Sequence, residues 1–143
     1  MKKNKGNFSQ KHSPERKPNQ EIVKAIKEKV KSGELTCAQA FEISENLNAP
    51  PGEVGFTADY LEIRISQCQL GLFGFIPVSK IVKPAESVAL DLEKAIRDDL
   101  TANRLSCESS WKIAKRFRMA KIRVSSACEA LNLKITSCPL GAF

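Results

Sequence analysis

Cysteine is the most reactive side chain in this sequence, and four of its five cysteines are evenly placed. Cys37 to Cys68 and Cys107 to Cys138 are each a step of 31 residues, and Cys128 is extra. Four thiolates brought together could hold a metal ion or an iron–sulfur cluster. Cys37 and Cys107 fall where a helix is expected to start, and a helix N-terminus lowers a thiol pKa. No Cys-x-x-Cys pair accompanies them, and the only histidine is His12. The odd count argues against a disulfide framework. The bland reading is that the thiols are small buried hydrophobes, with a redox-sensing pair as the main alternative.

A second group carries charge. Lys112, Lys115, Arg116, Arg118, Lys121 and Arg123 lie in a stretch with no acid between Ser109 and Cys128, and Ser125 and Ser126 follow. Arginine can read guanine with two hydrogen bonds, while lysine and serine hold phosphate. Against this stands the ordinary reading of a charge run as a solvated helix face. Support for enzyme chemistry is lacking: no His neighbours a Cys, no Gly-rich loop cradles phosphate, and the acids follow helical spacings. The expectation is a non-enzyme without a cofactor.

The elements that position these residues come from an internal repeat. Shifted by 70 residues, Val23–Phe73 aligns with Glu93–Phe143 without a gap, and thirteen positions are identical. They include Leu35/Leu105, Cys37/Cys107, Ile43/Ile113, Val54/Val124 and the Cys-x-Leu-Gly-x-Phe motif at 68–73 and 138–143. Two copies suit a pseudo-symmetric pair rather than a solenoid. The division expected is a disordered basic tail over 1–19, one unit over 20–75, a linker over 76–83 and a second unit over 84–143.

Each unit reads as three helices and a strand. The first helix covers about 20–31, with Asn19 as N-cap and Gly33 as stop; its counterpart covers about 84–101 and opens at Pro84. The second starts after Thr36 or Ser106, with Ala40, Ile43 and Leu47 on one face of the first copy. The third starts near Pro51 or Lys121. Leu61-Glu62-Ile63-Arg64-Ile65 and Leu131-Asn132-Leu133-Lys134-Ile135 then alternate, which predicts one short strand per unit. The two strands are expected to pair with each other across the pseudo-twofold. Leu70 and Phe73, like Leu140 and Phe143, should fold back to close their own unit's core, with Gly71 and Gly141 permitting the bend.

Helices two and three fit a helix-turn-helix frame over 40–59 and 110–129. Ser44 and Ala114 are small where the helices touch. Leu47 and Phe117, then Ala49 and Met119, are apolar around the turn. Val54 and Val124 pack the last helix back, and Thr57 and Ala127 complete the frame. Asn48 suits the left-handed turn position, whereas Arg118 departs from it. From about residue 20 the chain resembles a tandem of helix-turn-helix units of the small bacterial winged-helix-like kind, each with one strand appended. In that family the turn and the start of the last helix face the major groove. The resemblance therefore implies a DNA-binding transcriptional regulator that works through Lys115, Arg116, Arg118, Lys121, Arg123, Ser125 and Ser126. The first unit carries Glu42, Glu45 and Glu53 in the matching stretch, which repels phosphate. Phe56 there reads as a protein contact or a core residue.

Net charge is +7. Residues 1–20 hold six Lys/Arg against one Glu, so most of the excess sits in the tail. A basic arm of that kind finds nucleic acid by counterion release, or merely solubilises. No run of about 18 apolar residues is present, so no membrane partner is expected. The polar start lacks a signal-peptide core, and a cytoplasmic protein is expected. Two other functions stay open: a protein–protein adaptor using the acidic first unit, and a cysteine-based metal or redox sensor.

Overall fold

The structure is a computed structural model and describes residues 16–143. Most of the expected basic tail, with His12, lies outside the described residues. The described chain is mainly helical with a few short strands. It divides into two compact units. Unit 1 contains 16–68 and Pro139–Ala142, and unit 2 contains Gln69–Cys138 and Phe143.

In unit 1 the order is α1 (Gln20–Lys29), β1 (Glu34–Thr36), α2 (Cys37–Asn46), α3 (Pro51–Tyr60) and β2 (Arg64–Ser66). Asn19 caps α1 as expected, its Oδ1 accepting from the Glu21 N–H at 2.8 Å. Helix α1 ends before Gly33, which instead turns the chain at φ 75° into β1. Thr36 and Gln39 form a reciprocal capping box that starts α2. Ile22, Ile26, Leu35, Ile43 and Val54 are buried at its centre.

Unit 2 runs α4 (Leu90–Asp98), β3 (Arg104–Ser106), α5 (Cys107–Arg116), α6 (Lys121–Ala130) and β4 (Lys134–Thr136). Its core gathers Leu92, Ile96, Leu105, Ile113, Val124, Cys128 and Leu133. Helix α4 opens at Leu90, not at Pro84. The segment before it is drawn to α6 instead, where the Ala85 N–H donates to the Ser126 carbonyl at 3.0 Å. The stretch 76–83 is not a passive linker either, since the N–H groups of Ile81 and Val82 both donate to the Gly71 carbonyl.

The strands do not pair across a pseudo-twofold. Each finds its partner inside its own unit: β1 pairs with β2 and β3 with β4, both parallel, with Leu35 opposite Ile65 and Leu105 opposite Ile135. Strands β1 and β3 have only three residues, too few to show a period, so they pass in sequence for the loop before a helix cap.

The Leu-Gly segments also differ from expectation. Residues Pro139–Ala142 pack within unit 1, while 69–75 pack within unit 2. The backbone of Leu140 lies directly on α3 at Gly55, and Gly71 lies against Ile122 of α6. Apolar spacing announces that Leu70 and Leu140 are buried, and both are; it does not say in which core.

Backbone geometry recurs at the spacing of the sequence match. Ser32, Asn48, Glu62 and Gln67 have positive φ, and so do Ala102, Arg118, Asn132 and Ser137.

Candidate nucleic-acid interface

The basic stretch is built on α5, the turn after it and the start of α6. The Ser106 side chain accepts from the Ser109 N–H at 3.0 Å and starts α5. Glu108 in its first turn and Lys115 and Arg116 in its last both suit the helix dipole. Ser110, Ile113 and Ala114 face the core. The turn closes through the Met119 N–H, which donates to the Ala114 carbonyl at 2.9 Å. Arg118 takes the left-handed conformation at φ 55°, close to the 53° of Asn48. The frame demanded that geometry, and a side chain less suited to it than glycine supplies it.

Lys115, Arg116, Arg118 and Arg123 are exposed. Lys112 is exposed too and pairs with Glu108 at 3.7 Å, a solvated contact worth little. Lys121 is half-buried, with its ammonium 4.6 Å from the Trp111 ring centre. The Arg116 guanidinium stands 5.3 Å from the ring of Phe117. Such cation–π contacts hold the cations near one geometry while leaving their charge outward.

The two serines do not join this surface. Ser125 is 1 % exposed. Its Oγ is buried with no hydrogen-bond partner. Ser126 is half-buried, and its hydroxyl donates to the Lys83 carbonyl. Helical spacing puts Ser125 one turn after Lys121, on what should be the outward face. That face is enclosed within unit 2, where Val124, Ser125, Ala127 and Cys128 are all buried and Gly71 lies against Ile122. Helix α3 is enclosed in the same way, with Val54–Asp59 buried throughout.

The acidic stretch of unit 1 is partly neutralised. Glu42 pairs with Lys29 at 3.0 Å, and Glu53 pairs with Arg16. Phe56 is a core residue, 2 % exposed, with the Arg16 guanidinium 3.8 Å from its ring centre.

No protein-family model, curated protein or solved structure matches the chain.

Cys37 and Cys68 belong to unit 1, Cys107 and Cys138 to unit 2. Among the described residues no three of His, Cys, Asp or Glu stand where they could hold a metal ion. None of the five cysteines forms a disulfide. Cys37, Cys68, Cys107 and Cys128 are buried, and Cys138 is half-buried. Burial, helped by the neighbouring Glu129 carboxylate, pushes the Cys128 thiol up to about 11.

Two cations escaped the sequence reading. Arg104 and Lys134 are exposed register partners across the β3–β4 pair, where unit 1 places Glu34 opposite Arg64. Comparing charge at the 70-residue shift, Glu34 against Arg104, would have found them. Like charges in that position cost stability.

Proposed function

We propose that this protein is a DNA-binding regulator built from two duplicated helix-turn-helix units, and that it binds duplex DNA through unit 2. One observation carries the reading: Lys115, Arg116, Arg118 and Arg123 are all exposed on an α5–turn–α6 element that contains no acid from Ser109 to Cys128. The duplication and the helix-turn-helix assignment are supported by the recurring order of elements and by left-handed residues at matching positions. They are also supported by burial of the frame residues Ser44, Val54 and Thr57 and of Ala114, Val124 and Ala127.

The enclosure of α6 narrows the mode of binding. A helix buried along its middle presents only its first turn, so Arg123 is left as the base-reading candidate. Lys115, Arg116 and Arg118 then contact phosphate, with Lys121 beside Trp111 as a second-rank contact. The protein positions itself by charge and reads few base edges.

The test is a titration on generic duplex DNA over a range of salt. Affinity should fall linearly on logarithmic axes with a slope near −0.9 for each phosphate contacted. Removing Lys115 or Arg116 should reduce that slope by about 1. Wild-type binding that is absent or independent of salt would end the reading. An adaptor role for unit 1 is favoured by one feature, the exposed Leu47 beside the exposed Glu45 at the end of α2.

A further inference from the structure

Unit 2 holds a groove of about 560 Å³ that the basic surface does not account for. Its apolar wall is formed by Leu92, Phe117, Met119, Ile122 and Ala127. Lys83 and Arg123 also line it, and so does Asp91. The Asp91 Oδ1 is already engaged, accepting from the Leu92 N–H at 2.8 Å. Two helices begin at the groove, α4 beside Ala89 and Asp91 and α6 beside Ile122 and Arg123. Their N-cap residues are Ala89 and Ala120, and neither supplies a side-chain cap. Most helix starts with an alanine at the N-cap leave backbone N–H groups to be satisfied by something else.

We infer that this groove binds a small organic anion with an apolar body, its acidic group between Arg123 and Lys83 and its body against Phe117, Met119 and Ile122. The volume lies in the usual range for small-molecule sites, and the lining is mixed, with Lys83, Ser87, Asp91, Arg123 and Ser126 beside the apolar wall. Charge selects the class. Lys83, Arg123 and two helix N-termini outweigh the single carboxylate of Asp91 among the lining residues, which leaves the groove net positive. A cationic ligand would meet that same excess of positive charge.

The site shares Arg123 and the turn with the proposed DNA surface. Residues Phe117, Met119 and Arg123 wall the groove, and Arg118 lies in the same turn. An occupant would therefore compete with DNA for Arg123. That consequence rests on the DNA reading; the binding site itself does not.

Full-length protein is titrated with 8-anilinonaphthalene-1-sulfonate, an aromatic anion, and separately with N-phenyl-1-naphthylamine, its uncharged analogue. Both should bind, the anion more tightly and at one site per chain. Arg123→Gln should weaken the sulfonate about tenfold, the loss expected for one charge-assisted hydrogen bond, and change the neutral probe less than twofold. Ser87→Trp adds bulk from an exposed position on the groove and should weaken both probes. Arg118→Gln lies outside the groove lining and should change neither. If Arg123→Gln affects both probes equally, or Ser87→Trp affects neither, the proposal is wrong. Weaker DNA binding in Arg118→Gln, with a salt slope shallower by about 1 and unchanged probe binding, separates the two sites, and failure of the DNA titration leaves the probe result standing.

Discussion

The carbonyl oxygen of Leu140 lies 1.9 Å from where a Cβ on Gly55 would stand. No side chain fits there. The obstacle is backbone, so it cannot be relieved by a rotamer change. Gly55→Ala should cost unit 1 at least about 3 kcal/mol, at the upper end of overpacking effects. A urea melt should show the loss. Gly33→Ala is the informative comparison, since nothing lies within 4 Å of its added carbon but its φ of 75° is strained; it should cost about 1 kcal/mol.

Ser125 separates packing from binding. Its hydroxyl is buried and unpartnered. Ser125→Ala removes a desolvated group and should raise stability by about 1 kcal/mol. DNA affinity and its salt slope should not change. A fall in affinity at fixed stability would return Ser125 to the interface.

Arg118 is expected to trade stability for binding. Its left-handed turn favours glycine, so Arg118→Gly should gain about 1 kcal/mol in thermal or urea unfolding. The same variant should bind DNA more weakly, with a salt slope shallower by about 1. Gain of stability without loss of binding would remove Arg118 from the surface.

The Arg104 and Lys134 pair invites relief. Arg104→Glu restores the opposite-charge arrangement that Glu34 and Arg64 have in unit 1. It should stabilise unit 2 by about 0.5 kcal/mol at low salt, and less at high salt.

Cys128 predicts an alkaline limit. Its pKa in the folded protein, about 11, lies above the unfolded value of 9.0. Burial of the neutral thiol therefore contributes stability that is complete below pH 9 and is lost as pH rises from 9 toward 11. Denaturant midpoints should fall over that window in the wild type, and less steeply in Cys128→Ala. Equal slopes would show that the thiol is not linked to folding.

Local signals were read well from sequence. Asn19, Thr36 and Ser106 cap as their side chains require, and Ile43, Ser44, Val54 and Thr57 of the first frame are buried because period 3.6 reports burial within a helix; Leu47 has the right spacing but stands at the C-cap after α2, where the helix has ended, and is exposed. Lys115, Arg116, Arg118 and Arg123 are exposed, while Lys121 is half-buried beside Trp111, a contact that spacing does not announce. What failed depends on contacts distant in sequence. Ser125 sits on the polar side of any helical wheel, yet it is buried on a helix whose Ile122 meets Gly71, some 50 residues earlier. Strand β1 has no period of its own and exists because β2 returns to it. Pro84 is a good first helical residue, but the Ala85 N–H goes to Ser126 and the helix waits until Leu90. Lys134 reads as an ordinary strand residue and Arg104 as part of the loop before a helix cap until register sets them side by side.

The parallel pairing of β1 with β2 has a kinetic consequence. Parallel strands cannot be joined by a tight turn, so twenty-nine residues and two helices must be threaded between Leu35 and Ile65 before the first ladder bond forms. Each unit is a noose that tightens last at its neck. Closing that loop should make each unit fold more slowly than a bundle of the same helices without the strand pair.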